Sequence, residues 1–252
     1  MSVISIANHK GGVGKTTTSV NLAAGLARAG YKVLLIDMDP QANATFSLGL
    51  KKQEQTLYQV LAFQDDIRKK VVKIDNFDLV PSSVHLAGFE KNNEVGKEFI
   101  LQESLTAVRE LYDYILIDCP PSLGSLTISA LTASNFVIVA LQPESLAMQG
   151  MEDFVRILRT VRTRMNEKLE LLGIVITQFD HRKVLHRDVA EVAVERYGDA
   201  VFATRIRGNV ALAESQSMGL HIFQYDALCN GAEDYMELTR EVVGRVNAEL
   251  TV

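Results

Sequence analysis

The run His9-Lys10-Gly11-Gly12-Val13-Gly14-Lys15-Thr16-Thr17 lies between a short apolar stretch, residues 3–7, and an amphipathic one, residues 15 to about 29. A strand, a glycine-rich turn and a helix in that order restrict the chain to few folds. Glycine lets backbone N–H groups converge with no Cβ in the way, and a helix N-terminus adds partial positive charge at the same spot. Phosphate is the natural occupant of such a turn. Lys15 can reach β- and γ-phosphates, and the Thr16 hydroxyl can ligate Mg²⁺. A dinucleotide site is the rival reading, since Gly12-Val13-Gly14 begins its fingerprint and Asp37 stands where a ribose ligand would. Thr17 at the third glycine position and the direct fit of Gly14-Lys15-Thr16 to a phosphate loop favour the first reading. His9 departs from the standard loop, which has Gly there.

The rest of the chain repeats the alternation. Residues 33–37, 114–118, 136–141 and 172–177 are short apolar runs of the kind buried on both faces of a parallel sheet. Between the last two, Phe154, Leu158, Val161 and Met165 recur at helical spacing. Gly30 is placed to close the first helix. These signs predict an α/β fold: a doubly wound, mostly parallel β-sheet with helices on both faces, and ligands outside the carboxyl ends of the strands. Sparse aromatics (7%) and only 5 Pro suit it better than an all-β sandwich. No repeat or linker divides the chain, so residues 1–252 are expected to form one domain. Residues 41–96 are polar, broken and only patchily helical by pattern.

Two apolar runs end in carboxylates. Asp37-Met38-Asp39-Pro40 follows one, and Asp118-Cys119-Pro120-Pro121 ends another. Phosphoryl transfer to water needs an acid near Mg²⁺ and a group that orients the water, and Asp at strand ends beside a phosphate loop can supply both. Asp39 and Asp118 are the candidates, with Asp37 a weaker one because an Asp after a strand also caps turns. The expected reaction is Mg²⁺-dependent ATP hydrolysis.

Composition excludes several alternatives. A net charge of −5 and a pI of about 5.6 leave any DNA contact to a local patch. Cys119 and Cys229 are far apart and without metal-ligand spacing, which argues against a disulfide scaffold or zinc site. No apolar run approaches the roughly 20 residues that cross a bilayer. The cytoplasm is the expected location.

At Lys10 through Thr18, Asn21-Leu22-Ala23, Asp37 through Gln41, Asn43-Ala44-Thr45 and Asp118 through Gly124, the chain resembles the ParA/MinD group of deviant Walker P-loop ATPases, most closely small chromosomal ParA proteins of the Soj type. The resemblance implies that Lys10 replaces the missing glycine as a signature lysine and reaches the partner subunit's ATP across a two-fold interface. It also implies phosphate binding by Lys10, Gly11, Gly12, Val13, Gly14, Lys15, Thr16 and Thr17. Thr16, Asp39 and Asp118 would serve Mg²⁺, Asp118 through water, while Asp39 orients the attacking water. A homodimer formed on ATP, non-specific DNA binding, nucleoid association, a ParB-like stimulating partner and a role in chromosome or plasmid segregation are further implications.

Candidate DNA contacts are Arg156, Arg159, Arg182, Lys183, Arg205 and Arg207, with Arg162 and Arg187 beside them. Relatives usually read Pro-Arg-Asn-Val-Arg where this chain has Arg207-Gly208-Asn209-Val210-Ala211, so two family arginines are absent. No helix-turn-helix is expected before the first strand. A MinD-like or orphan positioning role on a membrane or protein scaffold is the alternative, but the amphipathic segment from residue 235 to 250 carries Glu237, Glu241 and Glu249 and reads as a core-packing helix. An iron–sulfur reductase of the nitrogenase-iron-protein type shares the loop, without cluster cysteines here.

Overall fold

The computed structural model describes residues 1–51, 53–92 and 94–249. Eight strands form one sheet: β1 (Ser2–Ala7), β2 (Val33–Asp37), β3 (Val72–Ile74), β4 (Phe77–Val80), β5 (Tyr114–Asp118), β6 (Phe136–Leu141), β7 (Glu170–Phe179) and β8 (Val201–Arg207). Their order is β3-β4-β2-β5-β1-β6-β7-β8, parallel throughout except for β3, which pairs antiparallel with β4 at one edge. The helices are α1 (Lys15–Arg28), α2 (Asn43–Ser47), α3 (Leu57–Phe63), α4 (Leu86–Lys91), α5 (Ile100–Leu105), α6 (Ser125–Ala133), α7 (Ala147–Arg164), α8 (Val184–Tyr197), α9 (Val210–Ser217), α10 (Ile222–Tyr225) and α11 (Asn230–Glu249).

Period-two alternation along the strands divides the core into two layers. Val3, Ile36, Ile117, Val139 and Ile174 face a layer that includes residues of α3 to α8. Ile4, Leu35, Leu116, Ile138 and Val175 face α1, α9, α10 and α11. The expected stripe on α7 is seen, with Phe154, Leu158 and Val161 buried and Met165 packed at its end. Terminal helix α11 buries Tyr235, Leu238, Val242 and Val246 in the second layer, as a core helix does. Its Glu241 carboxylate also accepts the Ala203 and Thr204 N–H groups (2.9 and 3.1 Å), which closes part of the β8 edge.

Because β1 sits between β5 and β6, the loop after β1 opens at the carboxyl end of the sheet, beside the place where the strand order reverses. Parallel register sets Asp118 beside Ile6 on one side and beside Asp37 on the other. Two carboxylates and the glycine-rich loop therefore meet at one edge.

Candidate nucleotide site

Gly12 and Gly14 have φ of 76° and 84°, the left-handed region that side chains rarely enter. A Cβ on Gly12 would point into open space, and Gly14 is the residue from which α1 starts. The first turn of α1 carries no acidic residue, so its partial positive charge is left for an anion. Lys15 is buried, with Nζ donating to the Lys10 carbonyl at 3.0 Å. Burial pulls its pKa down, against the pull of Asp118 in the other direction.

His9 packs its ring against α7, where a Cβ on Gly150 would approach the ring at 2.5 Å. The departure from glycine is thus absorbed at the flank of the loop by a helix that has no side chain there. Lys10 Nζ pairs with Glu144 Oε2 at 2.7 Å, and Gln142 donates to the other oxygen of Glu144 at 2.9 Å.

The three aspartates do different things. Asp118 accepts the Thr16 hydroxyl at Oδ2 and the Ser19 hydroxyl at Oδ1, each at 2.8 Å, which holds the proposed metal-binding threonine. Burial raises the Asp118 pKa, opposed by these hydroxyls and by Lys15. Asp37 is fully enclosed and accepts Thr45 N–H (2.8 Å), Thr45 Oγ1 (2.6 Å) and Asp39 N–H (3.2 Å). Burial and the neighbouring Asp118 charge push its pKa up, and those donors restrain the rise. Asp37 is a brace for the loop that carries Asp39. Asp39 lines the cleft; its Oδ1 takes the Gln41 N–H at 2.9 Å and its carbonyl takes the Ser82 hydroxyl at 2.6 Å.

Beside these groups lies an open cleft of about 760 Å³ whose walls include Gly12, Lys15, Thr16, Asp39, Phe46 and Gln216. A second cavity of about 260 Å³ is bounded by Thr177, Gly208, Asn209 and Tyr235, and shares Gly14, Thr17, Gln178, Ala213 and Gln216 with the first. Its place beside the phosphate cradle suits a base. Thr177 and Gln178 also brace the loop, donating to the carbonyls of Val13 (2.7 Å) and Gly12 (2.8 Å). Among the described residues no cluster of three or more His, Cys, Asp or Glu can enclose a metal. Mg²⁺ would fit here as an ion shared with a bound nucleotide, beside the Thr16 hydroxyl and the carboxylates of Asp39 and Asp118.

Several of these residues carry no sequence signal. Ser19 lies one helical turn beyond Thr16, so the helix itself presents it to Asp118. Glu144 and Gln216 arrive from remote segments, and Thr45, though within the quoted Asn43-Ala44-Thr45 run, gives no sign in the sequence that it pairs with Asp37. Cys119 is buried beside Asp118, and burial pushes its thiol up to about 12, which makes it unreactive.

The DNA candidates lie on α7, at the turn between β7 and α8, and on β8. Arg159 is exposed on α7, and Arg156 beside it pairs with Asp153 at 2.7 Å. Lys183 is exposed at the start of α8, and Arg182 forms two bonds to Asp180 (3.0 and 2.9 Å). Arg205 lies over the Phe179 ring, 4.7 Å from its centroid. Arg207 is committed within the protein: its guanidinium bonds Asp234 Oδ1 and Glu233 at 2.6 Å each, fastening β8 to α11. Among the described residues no helix is long and apolar enough to cross a membrane.

Comparison with known proteins agrees with this geometry. Residues 1–171 match a family described as an AAA domain. The sporulation initiation inhibitor protein Soj of Bacillus subtilis is 44% identical over 246 residues, 95% of this chain and 97% of that protein. The chromosome partitioning protein ParA of Caulobacter vibrioides is 40% identical, covering 97% of this chain and 95% of its own. Among solved structures, a Mycobacterium smegmatis protein described as cobyrinic acid a,c-diamide synthase, with bound ADP and magnesium, superposes with a TM-score of 0.83 at 35% identity, over 95% of this chain and 93% of that one. A putative plasmid partition protein of Borrelia burgdorferi bound to AMPPNP gives a TM-score of 0.83 at 28% identity, over 98% and 99%. With the phosphate loop, the paired strand-end carboxylates and full-length relatives all in agreement, the chain belongs to the ParA/Soj family of deviant Walker ATPases.

Proposed function

We propose that this chain, acting as one domain, is an ATP-driven partition switch. It binds ATP and Mg²⁺, pairs through the bound nucleotides, holds DNA non-specifically as the pair, and separates when a ParB-like partner stimulates hydrolysis. The carrying observation is that Lys15, Thr16 and Asp39 line one cleft with Asp118 bonded behind Thr16, while Lys10 lines a separate cavity and its side chain is paired with Glu144.

Lys15 and the backbone N–H groups of the loop would hold the phosphates. Thr16 would ligate Mg²⁺ and Asp118 would support it through water; when bound, the ion neutralises charge on the β- and γ-oxygens. Asp39 would orient the attacking water, since its second oxygen takes no protein hydrogen bond among the described residues. Lys10 would act in trans on the partner's ATP. Its pair with Glu144 is solvent-exposed, and such pairs are weakly held, so release on dimerisation is easy. Nucleoid association would follow from DNA binding by the pair.

Light scattering with Mg²⁺ and ATP tests this reading. Lys15→Ala should lose ATP binding. Lys10→Ala should bind ATP and stay monomeric. Asp39→Ala should bind ATP and remain paired, because water positioning is lost while the phosphate cradle is intact. A monomeric Asp39→Ala protein at saturating ATP would overturn the assignment.

A further inference from the structure

Gln216 stands at the joint between the two cavities. It lies on α9, its side chain borders both the phosphate cleft and the smaller cavity, and its Nε2 donates to Thr17 Oγ1 at 2.8 Å. A hydroxyl has one proton and accepts through its lone pairs. With its oxygen engaged by an amide N–H, Thr17 keeps its own proton to give away, and no protein acceptor takes it among the described residues. The hydroxyl is thereby fixed as a donor beside the N-terminus of α1. The side-chain oxygen of Gln216, Oε1, likewise has no protein donor among the described residues. A nucleotide runs phosphate, sugar, base, so a residue bordering both the phosphate cradle and the base cavity faces the sugar and the phosphate nearest it.

We propose that Gln216 positions and selects the nucleotide: it fixes Thr17 as a donor to the phosphate nearest the sugar, and its side-chain oxygen accepts the ribose 2′-hydroxyl. This rests on the ATP reading above. Gln216 acts partly through Thr17, and its direct part is discrimination between ribose and deoxyribose. A side chain that merely pinned α9 to α1 would have no such selectivity.

Isothermal titration of the full chain with ATP and with dATP, in Mg²⁺, separates these cases. The wild type should bind ATP more tightly than dATP; failure to bind ATP at all would sink the ATP reading itself. Gln216→Met keeps length and shape and removes both polar groups. It should weaken ATP about ten-fold, the value of one hydrogen bond to a charged group, and bring ATP and dATP to equal affinity. Its nucleotide-free melting temperature should stay within about 3 °C of wild type, roughly one neutral hydrogen bond in a chain of this size. Thr17→Val combined with Gln216→Met should be less than additive for ATP, because the two side chains act as one unit. Wild-type affinities in Gln216→Met would overturn the proposal. So would a lowered melting temperature with an unchanged ATP-to-dATP ratio, which is the signature of a pin alone.

Discussion

Arg207→Ala should cost stability more than it costs DNA affinity. The guanidinium makes three bonds to Asp234, at 2.9, 3.1 and 2.6 Å, one to Glu233 at 2.6 Å and one to the Asn230 carbonyl at 3.4 Å. Asp234 has a side chain only 5% exposed, whereas Arg207 is 41% exposed. Removing one partner of a fully buried pair costs roughly 3–5 kcal/mol, and an exposed pair is worth roughly 0.2–1. The half-exposed arginine and the Arg207 N–H that still reaches Asp234 at 2.8 Å place this case between them, at about 2 kcal/mol. For a chain of this length that is a fall in melting temperature of roughly 4–8 °C. Arg159→Ala, on an exposed face of α7, should melt like wild type. In DNA retention across a salt series, Arg159→Ala should lower the salt slope by about one if that arginine meets a phosphate, while Arg207→Ala leaves the slope unchanged. An Arg207→Ala protein that melts like wild type and loses about one unit of salt slope would refute the reasoning.

Three further outcomes follow from the geometry. Thr45→Val removes the hydroxyl donor to Asp37, leaving the Thr45 and Asp39 N–H groups, and strands the Ser82 N–H that Thr45 Oγ1 accepts at 3.0 Å; it should cost about 2 kcal/mol and depress turnover more than ATP affinity in steady-state kinetics, because the Asp39 loop loosens. His221 is buried against Phe77 and Phe223 with Nε2 3.2 Å from Asp75, and burial holds its pKa below the ordinary 6.5. Folding therefore excludes a proton that the unfolded chain accepts, and stability should fall as pH drops through about 6.5; melting curves from pH 8 to 5 should show a shallower fall in His221→Gln. Gly25→Ala sets a Cβ against Thr239 where α1 meets α11, and urea unfolding should show a loss of about 1–3 kcal/mol from overpacking.

What could be read from the chain follows from where each residue sits. Strands β2, β5 and β6 were legible to the residue, because central parallel strands are uninterrupted apolar runs. β7 extends further at both ends than its apolar heart, residues 172–177, and its tail carries Gln178, which lines the smaller cavity. β3 and β4 are short and meet at Asp75, whose φ of 44° turns the chain within a polar stretch, so neither stands out. β8 hides its strand character behind Arg205 and Arg207, which an edge strand tolerates. At the site, Lys15, Thr16 and Asp118 were legible because each rides the end of a regular element. The brace at Asp37 depends on Thr45, eight residues away and folded back, and Gln216 meets Thr17 across 199 residues of chain. Such pairs are made by tertiary structure and leave no local pattern.

The measurement that reaches the centre of this account is retention of DNA by the purified protein with ATP, with ADP and without nucleotide, each across a salt series. An ATP-dependent pair should retain DNA with ATP alone, and retention should fall steeply as salt rises, because phosphate contacts carry the affinity. Equal retention in all three states, or none in any state despite an ATP-dependent dimer, would contradict it, and the second result would direct the search to a membrane or protein scaffold.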